Sequence, residues 1–135
     1  MSASTPTLMI VDDNPSDVDL VRDAFADLAI ASEFLVAKDG VDAITLLQRV
    51  MANDGVRPSA ILLDLNMPRV GGREVLSFIK STAALRAIPT IILTSSASPK
   101  DRDDCLAGGA EAYFVKPRSL EQLNALVRQI HAMVA

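Results

Sequence analysis

The pattern that most limits how this chain can fold is an alternation. Five short runs, apolar throughout or framed by Thr or Ala, are each followed by a stretch whose apolar residues recur at spacings of three and four. The runs are Leu8–Val11, Phe34–Val36, Ala60–Leu63, Thr90–Thr94 and Ala112–Val115. The unbroken apolar runs Leu8–Val11 and Ala60–Leu63 read as buried strands, the first buried on both faces, and the other runs as strands. The stretches between them read as amphipathic helices. Strands alternating with helices predict a parallel sheet with helices on both faces, a doubly wound α/β architecture of five β-α units. The 135 residues make about one domain, and a chain near this length buries roughly two-thirds of its unfolded surface, enough for a core without disulfide or metal staples.

The residues between the runs supply the punctuation. Asn14-Pro15, followed by Asp17, reads as an N-cap, a proline at the first helical position and an acid in the first turn. Val18, Val21, Phe25 and Leu28 then mark the inner face of the first helix, and Val41, Ile44, Leu47 and Met51 that of the second. Asn53-Asp54-Gly55 breaks the second helix and Pro58 closes its loop. Pro68 and Gly71-Gly72 lead into a third helix carrying Val75, Leu76 and Ile79. Ser98-Pro99 opens a fourth and Gly108-Gly109 ends it. Ser119 with Gln122 forms a capping box for the last, whose stripe is Leu120, Leu123, Val127, Ile130 and Val134. There is no internal repeat or low-complexity tract. Residues 1–6 read as a disordered lead-in, and 7–135 as one domain with no output domain attached.

Composition narrows the function. One His and one Cys cannot form a His/Cys zinc site or an internal disulfide. Cys105 reads as a small buried hydrophobe and His131 as a solvated side chain on the last helix. No stretch approaches a membrane span and no signal peptide is evident, so a cytoplasmic protein is expected. The net charge of −4, with scattered Arg and Lys, lacks the basic footprint of a nucleic-acid binder.

In open parallel sheets the site lies beyond the carboxyl ends of the strands. Asp12-Asp13 ends the first strand, Asp64 the third and Thr94 the fourth, while Lys116-Pro117 ends the fifth. Converging carboxylates repel one another, and a hard divalent cation relieves that repulsion; an all-oxygen ligand set suits Mg²⁺. An Asp can also serve as a nucleophile that forms an aspartyl phosphate. Phosphoryl transfer asks for positioning and charge neutralisation, which a metal, a Lys and a hydroxyl supply.

These residues together resemble the receiver domain of two-component response regulators, over about residues 7–134. The resemblance implies a flavodoxin-like sheet of order 2-1-3-4-5. It implies Asp12 and Asp13 as the acidic pair, Asp64 as phosphoacceptor, Thr94 as switch hydroxyl, Tyr113 as switch aromatic and Lys116 as phosphate partner. Asp64-Leu65-Asn66-Met67-Pro68 matches the pattern around the acceptor, where the residue two past it, Asn66, lends a backbone carbonyl to the metal. Thirty residues separate Asp64 from Thr94, 22 separate Thr94 from Lys116 and three separate Tyr113 from Lys116, all in keeping with the family. The resemblance further implies a cis Lys116–Pro117 bond and a sensor histidine kinase as phosphodonor. It also implies a switch in the face built from the fourth helix, fifth strand and fifth helix, a face through which a homodimer could form. The 51 residues from Asp13 to Asp64 exceed the compact members of the family. The lengthened loop near Met51–Pro58 is similar to that of stand-alone regulators paired with bacterial phytochrome kinases. Gly71 stands where many members have Asp, a loop variation. Ser96, two residues past Thr94, falls where the family sets phosphoryl lifetime together with Asn66.

Two other readings use the same residues. A haloacid dehalogenase-type phosphatase also combines an Asp nucleophile, Thr or Ser, Lys and Mg²⁺. It carries Asp-x-Asp on its first strand, however, whereas the nucleophile candidate here is on the third and is followed two on by Asn66, which cannot act as an acid. A receiver that serves only as a protein-binding module would not need the intact set of Asp12, Asp13, Asp64, Thr94 and Lys116.

Overall fold

The computed structural model describes residues 5–134. Residues 1–4 of the expected lead-in lie outside the described residues, and Pro6, its last residue, accepts a hydrogen bond from the Glu33 amide at 2.8 Å.

Each apolar run is a strand: β1 (Thr7–Val11), β2 (Glu33–Ala37), β3 (Ala60–Leu63), β4 (Thr90–Thr94) and β5 (Ala112–Val115). Each is followed by a helix: α1 (Pro15–Asp27), α2 (Gly40–Met51), α3 (Gly72–Ser81), α4 (Pro99–Ala107) and α5 (Leu120–Val134). All strand pairs are parallel, in the order β2-β1-β3-β4-β5, the doubly wound arrangement expected from the alternation. Because side chains alternate across a strand, one run feeds two cores. Met9, Val11, Ile61, Leu63 and Ile92 pack with Leu47, Val75, Ile79 and Cys105 on the side of α2, α3 and α4. Leu8, Ile10, Leu62, Ile91 and Leu93 pack with Val21, Phe25, Val127 and Ile130 on the side of α1 and α5.

The caps position the helices. Asn14 accepts from the amides of Ser16 and Asp17, and Pro15 occupies the first position of α1. Ser98 accepts from the Asp101 amide at the start of α4, and Gly109, at φ +106°, ends that helix where a side chain would be strained. At the start of α5 the Ser119 hydroxyl accepts from the Gln122 amide as expected, but the Gln122 side chain reaches one residue farther back, to the Arg118 amide. Gly72 lets α3 approach closely: a Cβ there would lie 2.1 Å from the Asp64 carbonyl oxygen. The helix is thereby seated against the end of β3.

Three expectations need correcting. In α2 the buried face is Gly40, Ala43, Leu47 and Val50, while Val41 and Met51 are exposed. A small Ala faces the sheet, so the inner face is turned from the larger apolar residues on which the expectation rested. In α5 Leu120 is exposed and Leu126 is buried in its place. Every peptide bond described is trans, the Lys116–Pro117 bond included. Trans is the favoured state of an X–Pro bond by about 0.5–1 kcal/mol, and with it the Lys116 side chain already reaches the rim.

Candidate functional site

The carboxyl ends of β1, β3, β4 and β5 meet at one rim. Asp12, Asp13 and Asp64 each offer a carboxylate oxygen, and these lie within 4.8 Å of one another. Asp12 and Asp64 are buried; Asp13 is exposed. β1 and β3 are neighbours in register, with Val11 beside Leu63, so the two buried acids leave adjacent strands at the same level. Asp12 accepts from the Asn14 amide at 2.9 Å, and Asp64 accepts from the Asn66 amide at 3.3 Å. Burial pushes the Asp12 carboxyl above its ordinary range, against the pull of the Asn14 amide and of Lys116.

Lys116 brings the compensating charge. Its ammonium donates to Asp17 at 2.7 Å and to Asp64 at 3.2 Å, and lies 2.9 Å from Asp12. Burial works against that charge. The hydrogen bonds to Asp17 and Asp12 and the attraction of Asp64 outweigh it and hold the ammonium above the ordinary lysine range. Its own backbone amide donates to the Thr94 carbonyl at 2.7 Å, which keeps the β5–α5 loop beside the end of β4.

Thr94 is fully buried, and its hydroxyl accepts from the Ser96 amide at 3.4 Å. Tyr113 is buried as well, and its hydroxyl donates to the Ser96 carbonyl at 2.8 Å. The aromatic ring is thus packed inside, against the loop that carries Ser96. Asn66 is exposed beside Asp64.

Two features escape a reading of the sequence. Asp17 looks there only like a first-turn acid of α1, yet it is the nearest partner of Lys116, 99 residues away. Its signal was position: four residues past Asp13, on the first turn of the helix that springs from the rim. The second is a polar tie between α3 and α4. Arg73 pairs with Asp101 and with Asp104, the latter at 2.8 Å, and Asp101 accepts from the Ser96 hydroxyl at 2.5 Å. Ser96 thus connects that tie to Tyr113.

The donor set is all oxygen, tightly grouped and only partly neutralised by one Lys, and it fits a hard divalent cation. Among the described residues no helix is long and apolar enough to cross a membrane.

Comparison with known proteins points the same way. Residues 8–128 match the model of the response regulator receiver domain. The chain is 35% identical over 123 residues to a probable methanogenesis regulatory protein, FilR2, of Methanothrix harundinacea, covering 91% of this chain and 79% of that one. It is 34% identical over 129 residues to the response regulator Rcp1 of Synechocystis, covering 93% and 86%. The Mn²⁺-bound crystal structure of Rcp1 superposes with a TM-score of 0.84 at 33% identity, over 94% of this chain and 92% of that one. The phosphorylated cyanobacterial phytochrome response regulator RcpA superposes with a TM-score of 0.88 at 32% identity, over 97% and 94%.

Proposed function

This chain belongs to the response regulator receiver family, and on that premise we propose that Asp64 is the residue that accepts a phosphoryl group from a phosphohistidine of a partner sensor histidine kinase. The observation that carries the reading is the grouping of three strand-end carboxylates around one lysine ammonium.

One Asp64 carboxylate oxygen attacks the phosphorus in line. The new O–P bond forms as the P–N bond to the donor imidazole breaks, and the imidazole leaves with the electron pair. Asp12, Asp13, Asp64 and the Asn66 carbonyl are the groups that would hold Mg²⁺, with Asp12 acting through water. The cation would supply neutralisation of the charge that develops on the transferring group. Lys116 pairs with one phosphoryl oxygen and Thr94 hydrogen-bonds another. Because Thr94 and Tyr113 are both hydrogen-bonded to Ser96 in the β4–α4 loop, a shift of Thr94 changes the setting of Tyr113, and the α4–β5–α5 surface is biased between two states. The module signals by carrying the phosphoryl group, with its own slow hydrolysis as the only turnover.

The likeness to RcpA supports a bacterial phytochrome as the kinase, and so does the lengthened α2–β3 connection. An acidic chain supports a protein partner over nucleic acid, and the lack of a membrane-crossing helix among the described residues supports a cytoplasmic setting. Exposed Leu106 and Val115 lie on the face a homodimer would use. The receiver domain is proposed to span residues 7–135, around the matched residues 8–128.

The test is acid-labile phosphorylation with Mg²⁺ and acetyl phosphate, or with candidate kinases. The wild-type protein takes the label and Asp64→Asn takes none. Normal labelling of Asp64→Asn would sink the assignment.

A further inference from the structure

We propose that Asp17 is a positioning residue for Lys116, the carboxylate that keeps the ammonium at the rim while Asp12 and Asp64 are engaged by a cation and a phosphoryl group. The inference rests on Asp64 being the acceptor.

Lys116 faces three carboxylates, and they are not equivalent. Asp12 and Asp64 belong to the group of oxygens that converge within 4.8 Å; Asp17 does not. A cation bound to that group repels the ammonium and competes for the same oxygens. Phosphorylation of Asp64 also removes the negative charge from its carboxyl oxygens. Two of the three contacts are thus weakened by the chemistry itself. The contact to Asp17, at 2.7 Å, is the shortest of the three and is left intact.

Asp17 is built to stay where it is. Its backbone amide donates to the Asn14 side chain, so the N-cap of α1 fixes the first turn that carries it. As an acid in that turn it is favoured by the helix dipole. Beside it and Lys116 lies a cavity of about 200 Å³ whose apolar wall includes Leu20, Val21, Leu93 and Leu123. An apolar wall weakens solvent screening of the pair. A lysine has four rotatable bonds, and without such an anchor its ammonium pays conformational entropy to stand at the phosphoryl oxygens. Asp17 removes that cost, and it does so from α1, 99 residues away in the chain.

The test is a double-mutant cycle of Asp17→Asn and Lys116→Met, read in two ways. The first is the rate of labelling by acetyl phosphate at saturating Mg²⁺. Asp17→Asn slows labelling about tenfold in the wild-type background, the scale of one charge-assisted hydrogen bond, and slows it no further once Lys116→Met is present. The second is thermal unfolding in EDTA, where neither cation nor phosphoryl group takes part. Asp17→Asn lowers Tm by about 3–5 °C in the wild-type background and by less than half as much in the Lys116→Met background, where only the helix-dipole contribution is lost; an equal drop in both backgrounds would overturn the inference. Equal slowing in both backgrounds would overturn the inference, because Asp17 would then act without Lys116. Labelling of Asp17→Asn as fast as wild type, or faster, would overturn it as well. Wild-type protein that takes no label would instead overturn the assignment of Asp64, and this inference with it.

Discussion

Helices α4 and α5 flank the same edge strand, and they are held by different forces. α5 buries Leu123, Leu126, Val127 and Ile130 against the sheet, whereas α4 buries Cys105 alone. What α4 lacks in apolar area it replaces with polar ties: Arg73 to Asp101 and Asp104, and Ser96 to Asp101. Apolar burial carries no charge to screen or titrate, while exposed ion pairs are screened by salt and titrate with pH. One helix is therefore part of the core. The other is moored to it, and the mooring passes through Ser96, the residue that also touches Thr94 and Tyr113.

The largest expected effect lies on the buried side. Ile130 is fully buried, and Ile130→Ala costs about 2–5 kcal/mol through lost transfer energy and the cavity left behind. Urea unfolding measures it, and a loss well under 1 kcal/mol would erase the contrast between the helices. Next comes acid. The Ser96 hydroxyl and then Arg73 hold the Asp101 carboxyl below its ordinary range, and Lys100 and then Arg73 do the same for Asp104. A carboxyl lowered in the folded state adds stability above its unfolded pKa, and that stability is lost as pH falls through the lowered value. Amide exchange should therefore show α4 losing protection as the pH drops below about 4, with α5 still protected. Arg73→Ala should give α4 the same loss at neutral pH. Equal loss in the two helices would mean that the ion pairs do not moor α4. The smallest effect is that of Leu106→Ala on the exposed flank of α4, within about 0.5 kcal/mol. A larger cost there would show that α4 depends on apolar contact after all.

Much of this was legible in the residues because the signals were local and agreed with one another. β4 and β5 begin and end where the apolar runs do, and Asn14, Ser98 and Ser119 cap the helices they precede. Asp12, Asp13 and Asp64 converge because parallel strands in register bring their carboxyl ends to one rim. What stayed hidden depended on packing between distant segments. Ala43 faces the core of α2 where larger apolar neighbours look like better candidates, and Leu120 leads the stripe of α5 in sequence yet points to solvent. No spacing rule links Asp17 to Lys116 or Arg73 to Asp101, because a side-chain pair between loops and helices follows from the fold and has no period of its own.

The hydrogen bond from Tyr113 to Ser96 has a practical consequence. The chain contains one Tyr and no Trp. All of its tyrosine absorption and emission therefore arises from a single ring, seated where the β4–α4 loop meets the edge of the sheet. The protein carries its own optical probe at that junction, and light alone can follow the loop without any label.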